Sequence, residues 1–94
     1  MSRRPLIAAN WKMNKTADEA DDFLDPFLPK QSADGPEVVI CPTYLALARV
    51  AERCAGTPVG VAAQNMYFED SGAYTGEISA PMLLDIGVDG VVLG

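Results

Sequence analysis

Four short apolar runs, separated by stretches with helical spacing, set what this chain can fold into. Residues 6–9, 37–41, 59–65 and 90–93 each have the length and the apolar or β-branched character of a buried strand. The order β-α-β-α-β-α-β argues for parallel strands joined by right-handed crossovers. Strand starts lie on average about 28 residues apart, and eight such units reach the roughly 250 residues of a closed α/β barrel. A chain of 94 residues has room for about the first half of one. The expected fold class is therefore α/β, the first half of an eight-unit barrel.

The intervening segments carry their own start and stop signals. Thr16-Ala17-Asp18-Glu19 has the form of a capping box, and Ala20, Phe23, Leu24, Phe27 and Leu28 follow at helical spacing. Pro26 conflicts with that spacing, since an interior proline costs roughly 3 kcal/mol. A regular helix over 17–25 is expected, followed by a kink or looser turn that carries Phe27 and Leu28 inward. Asp18, Glu19, Asp21 and Asp22 read as a solvated face rather than a metal site. Residues 30–36 read as a loop punctuated by Gly35-Pro36. A second helix is expected over 44–54, with Thr43 at the cap position. Leu45, Leu47, Ala48, Val50, Ala51 and Cys54 would form its apolar surface, with Arg49, Glu52 and Arg53 outward. Residues 66–76 form a long connection. Ser79 is placed to cap a short helix over 80–86, which Gly87 ends.

Two of the strand-like runs close abruptly on polar side chains. The first ends in Asn10-Trp11-Lys12, the third in Gln64-Asn65. On a continuing strand Asn10 and Lys12 would project from the same side. An amide and a fixed positive charge at the carboxyl end of a parallel strand make an anion-binding pair where such folds build their sites. The plainer reading is a polar strand end with a solvent lysine. For Gln64 and Asn65, ordinary strand-end hydrogen bonding stands beside support of Asn10 and Lys12 from a neighbouring strand.

Asn10-Trp11-Lys12-Met13-Asn14 resembles the first-strand motif of the triosephosphate isomerases. Ala63-Gln64-Asn65, Gly72-Ala73-Tyr74-Thr75-Gly76-Glu77-Ile78-Ser79 and Val91-Val92-Leu93-Gly94 match the same family in the same order. The resemblance implies a partial TIM-barrel domain over residues 1–94, with the carboxyl-terminal half absent and the next family residues a His-Ser-Glu-Arg-like stretch. It implies interconversion of dihydroxyacetone phosphate and D-glyceraldehyde 3-phosphate through an enediolate, in glycolysis and gluconeogenesis, with no metal and no cofactor. By resemblance Lys12 is a catalytic and substrate-binding residue, Asn10 a substrate-binding one, and Gln64 and Asn65 support them. The family fold also implies positive φ at Lys12, a strain that functional sites tolerate. Residues 67–77, otherwise readable as a floppy surface loop, become the protruding loop of a homodimer. Tyr74, Thr75, Gly76 and Glu77 lie at its interface, with Thr75 at the tip.

Charge and composition narrow the alternatives. A net charge of −6 argues against a nucleic-acid partner, which would want a basic face. It leaves room for an anionic ligand where local positive charge outweighs the distant surface. No apolar run approaches the roughly 18 residues of a membrane span, and the basic Met1-Ser2-Arg3-Arg4 is not followed by a secretory apolar region. Cys41 and Cys54 read as two reduced, small apolar side chains of a cytoplasmic protein.

The triosephosphate isomerases are the standard illustration of a glutamate base paired with a neutral histidine electrophile. This chain contains no histidine, and none of Glu19, Glu37, Glu52, Glu69 or Glu77 stands where the family puts its base. Residues 1–94 alone are therefore expected to be inactive, and marginal or self-associating because half a barrel leaves open edges. A rival expectation is a self-associating half-barrel that binds phosphorylated ligands without catalysis. A doubly wound nucleotide-binding domain fits less well, because Asn10-Trp11-Lys12 stands where its glycine-rich first turn would be.

Overall fold

The computed structural model describes residues 3–93. Met1 and Ser2 of the basic amino-terminal stretch, and Gly94 of the fourth motif, lie outside the described residues. The elements are β1 (Leu6–Asn10), α1 (Ala17–Phe27), β2 (Glu37–Cys41), α2 (Tyr44–Cys54), β3 (Gly60–Ala63), α3 (Ala80–Asp85) and β4 (Gly90–Val91), with a 3-10 turn over Leu28–Lys30. The strands form one parallel sheet in the order β1-β2-β3-β4, as the alternation of elements requires. Asn10 stands opposite Cys41 at one end of the first ladder. The polar ends of β1 and β3 thus come to the same carboxyl rim.

The core lies between the sheet and the helices. Leu24 of α1, Leu47 and Val50 of α2, and Ile40 and Val61 of the sheet are buried within it. Burial pushes the Cys54 thiol up to about 11 and also raises that of Cys41. Both thiols are free and buried, so they act as small apolar side chains.

Several local expectations need correction. The first run reads in the sequence as a buried strand, yet Leu6 is 60% and Ile7 52% exposed. β1 is an edge of the sheet, with β2 on one side only. The first helix runs through Pro26 to Phe27 rather than stopping at residue 25. Phe27 stacks on Phe23 at 4.9 Å and packs with Leu28 against the core. That burial offsets the one helical hydrogen bond that proline removes. The buried stripe of α2 is Ala46, Leu47, Val50, Ala51 and Cys54; Leu45, 91% exposed, and Ala48 lie outside it. Thr43 occupies the cap position of α2 without a side-chain hydrogen bond. The third and fourth strands are shorter than expected, ending at Ala63 and Val91.

The acidic face of α1 is not simply solvated, and Arg49 and Arg53 are not simply outward. Asp21 accepts from Arg49 at 2.6 Å and from Arg53 at 2.8 Å, and Asp25 accepts from Arg53 at 2.7 Å. α1 packs alongside α2, so the two charged stripes meet. The capping box forms as expected. Glu19 N donates to Thr16 Oγ1 at 3.2 Å, and Thr16 N donates to Glu19 Oε1 at 3.0 Å. Ser79 likewise caps α3.

Candidate functional site

The chain leaves β1 at Asn10 and turns at once. Trp11 is buried, and its amide extends the ladder by one bond, donating to Cys41 O at 3.1 Å. Lys12 then adopts φ +57, the left-handed conformation that a residue with a Cβ resists by about 1–2 kcal/mol. The same-side argument from a continuing strand therefore does not apply: the strand has ended, and a turn presents Lys12.

Side chains hold that turn. Lys12 N donates to Asn10 Oδ1 at 2.9 Å. Gln64 Nε2 donates to Lys12 O at 2.7 Å and to Cys41 O at 2.8 Å. Both backbone polar groups of Lys12 are thus satisfied by side chains from two strand ends, 52 residues apart in the second case. Asn14 Nδ2 donates to Trp11 O at 2.8 Å and closes the turn. An unfavourable φ persists where surrounding bonds over-determine it, and such positions cluster at functional sites.

Asn10, Lys12 and Gln64 are therefore brought together. Asn65 lines a groove together with Gln64; its backbone carbonyl accepts from the Tyr44 hydroxyl, and among the described residues its side chain makes no hydrogen bond to Asn10 or Lys12. Asn10 Oδ1 accepts from Lys12 N, which fixes the amide, and among the described residues Asn10 Nδ2 has no hydrogen-bond partner. The side chains of Asn10 and Lys12 are exposed at the rim, whereas Gln64 is half-buried.

Residues 67–77 form a loop built around aromatic rings. Tyr67 lies 4.7 Å from Phe68 and 4.5 Å from Tyr74, centroid to centroid. Tyr67 N donates to Ile78 O at 2.8 Å and Glu77 N to Tyr74 O at 3.0 Å. Gly72 has φ +136, and a Cβ there would meet Tyr74 Cε2 at 2.7 Å, so only glycine fits. Tyr74, Thr75, Gly76 and Glu77 are all exposed, as is Phe68 at 78%.

A groove of about 780 Å³ runs beside the Lys12 turn, at the carboxyl ends of β1 and β3 and the start of α2. Met13, Asn14, Tyr44, Leu45, Gln64 and Asn65 are among its walls. Met13 is 92% and Leu45 91% exposed. Sequence reasoning missed both as site residues. A signal existed for Leu45: it is an apolar residue in the first turn of a helix that follows a rim strand. Met13 carried none of its own. The reading also missed Lys15, which has φ +74.

A family model described as triosephosphate isomerase matches residues 5–94. Triosephosphate isomerase of Symbiobacterium thermophilum is 54% identical over 93 residues, covering 98% of this chain and 36% of that protein. The Rubrobacter xylanophilus protein of the same name is 49% identical over 94 residues, covering 98% and 37% respectively. That of Clostridium beijerinckii is 49% identical over 92 residues, with the same coverage. The chain spans a little over a third of the length of the curated relatives it matches.

Proposed function

The chain belongs to the triosephosphate isomerase family, and on that footing we propose that residues 1–94 supply the substrate-binding lysine of a triose-phosphate isomerase. The observation that carries this reading is the left-handed Lys12, its amide on Asn10 Oδ1 and its carbonyl on Gln64 Nε2. Proton abstraction beside a carbonyl builds negative charge on oxygen, and donors already in position lower that barrier by several kcal/mol. Lys12 offers a compact charge that needs no fork geometry. It would hold the phosphorylated triose and stabilise the enediolate oxygen. Asn10 Nδ2 would donate to a substrate oxygen. Gln64 would keep the turn from relaxing.

The proton shuttle has no carrier among these residues. There is no histidine, and general acid–base transfer needs a group within hydrogen-bond reach of the proton. Base and electrophile would come from chain beyond the matched segment. The reading includes no metal and no cofactor.

The reading extends to a second copy. The exposed Phe68 and Tyr74 give loop 67–77 an apolar, rigid surface of the kind interfaces favour. The groove beside Lys12, with Met13 and Leu45 bare, is a complementary apolar receptor. In a homodimer the loop of one subunit, Thr75 leading, would enter the groove of the other. Glycolytic and gluconeogenic flux in the cytoplasm would be the setting.

A graft tests the assignment: residues 1–94 replace the matching segment of the Symbiobacterium thermophilum relative. The expected result is turnover of dihydroxyacetone phosphate in a dimer. A folded, dimeric graft without turnover would contradict it.

A further inference from the structure

Two residues other than glycine have positive φ among the described residues, Lys12 at +57 and Lys15 at +74. They bracket Met13 and Asn14, so the segment carrying the site lysine enters and leaves through left-handed backbone. The hydrogen bonds described above hold the first bracket. Side-chain rings hold the second. Lys15 Nζ lies 5.6 Å from the centroid of Trp11 and 5.7 Å from that of Phe23. The two rings meet edge to face, 5.5 Å apart at 81°. Both distances are within the roughly 6 Å at which a cation is attracted to a ring face.

The ammonium of Lys15 forms no salt bridge among the described residues. The nearby Glu19 is engaged in the capping box of α1, with Oε1 on Thr16 N. The rings are therefore what Lys15 holds. Trp11 is the residue immediately before Lys12 and is buried; its carbonyl accepts from Asn14 Nδ2. Phe23 belongs to α1, where it stacks on Phe27. Lys15 thus ties both ends of the short loop to a ring anchored in the sheet and a ring anchored in the first helix.

We propose that Lys15 is a positioning residue for Lys12, its cation over Trp11 and Phe23 locking the bracketed turn that presents the site lysine. This rests on the reading of Lys12 given above. Lys15 also lines the groove beside Lys12, and the role proposed for it is on the turn rather than on the substrate. Its effect on the reaction passes through the placement of Lys12. A displacement of about 1 Å at a reacting centre can cost roughly a hundredfold in rate, so a partial loosening is expected to cost about tenfold.

The grafted full-length enzyme tests this by kinetics and thermal unfolding together. Lys15→Gln keeps an unbranched polar side chain, one atom shorter, but removes the cation. Lys15→Arg restores a cation that stacks well on aromatic faces. The expected result is a loss of about tenfold in kcat/KM for Lys15→Gln, from both a higher KM and a lower kcat. Lys15→Arg should stay within about twofold of the parent, and the thermal midpoints should be nearly unchanged. If Lys15→Gln does not fold, Lys15→Gly, which accepts positive φ freely, carries the same expected loss. Unchanged kcat/KM on removal of the cation would overturn the proposal. So would a Lys15→Arg enzyme as impaired as the glutamine variant. An unsubstituted graft that folds but has no turnover would instead overturn the functional reading, and this proposal with it.

Discussion

The side-chain amide of Gln64 donates to the backbone carbonyl of Lys12 at 2.7 Å, so the end of the third strand holds the turn at the end of the first. The same nitrogen also donates to Cys41 O at 2.8 Å, which draws in the second strand. One side chain thereby fastens three strand ends behind the exposed lysine. Replacing Gln64 by Glu would remove both donors and set an acceptor against two carbonyls. Cys41 O keeps its bond from Trp11 N, while Lys12 O, at an exposed site, loses its side-chain donor, so the cost is that of an ordinary hydrogen bond, roughly 0.5–1.5 kcal/mol. The urea midpoint of the grafted full-length Gln64→Glu chain should fall accordingly, with Lys12-dependent turnover falling too.

The pairing of α1 with α2 depends on pH. The Arg53 guanidinium first, and Arg49 after it, hold the Asp21 carboxyl below the usual carboxylate range. An unfolded Asp takes up its proton near pH 3.9, roughly, while the folded one stays charged to lower pH. The folded state binds fewer protons in that window, so the stabilisation is complete above the ordinary value and lost as pH falls through the depressed one. Asp21→Asn should lower the urea midpoint at pH 7. The gap from the parent should narrow as pH drops below about 4, and added salt should narrow it at neutral pH.

Elements fixed by local chemistry were legible in the sequence. The Thr16–Glu19 capping box, the bounds of α2 and the Ser79 cap follow from residues within one turn of each other. The parallel order followed from the alternation of segments. What the sequence did not show depends on which elements meet. Arg49 and Arg53 looked solvated because nothing local says that α1 lies beside them. The exposure of Leu6 and Ile7 depends on β1 being an edge strand, which no property of the run itself reveals. Asn10, Lys12 and Gln64 stood out as polar residues ending apolar runs. The aromatic seat of Lys15 needs Phe23 brought back against Trp11, a contact that crosses from loop to helix.

The isolated 94 residues should associate. Leu6, Ile7 and Leu93 are exposed at 60%, 52% and 71%, on or next to the two edge strands. Unpaired apolar edges template pairing with another chain. Light scattering coupled to size exclusion should give a mass above that of a 10.0 kDa monomer, and the same sample should not interconvert triose phosphates. A monomer with cooperative unfolding would contradict the first expectation, and turnover by the purified chain the second.

The most direct measurement compares the grafted full-length enzyme with its Lys12→Met variant, which keeps the unbranched stem and removes the charge. Steady-state turnover of dihydroxyacetone phosphate should fall at least about a hundredfold, the scale set by losing one preorganised donor at a developing oxyanion, while the thermal midpoint holds or rises. A Lys12→Met enzyme that turns over substrate within a few-fold of the parent would contradict the account.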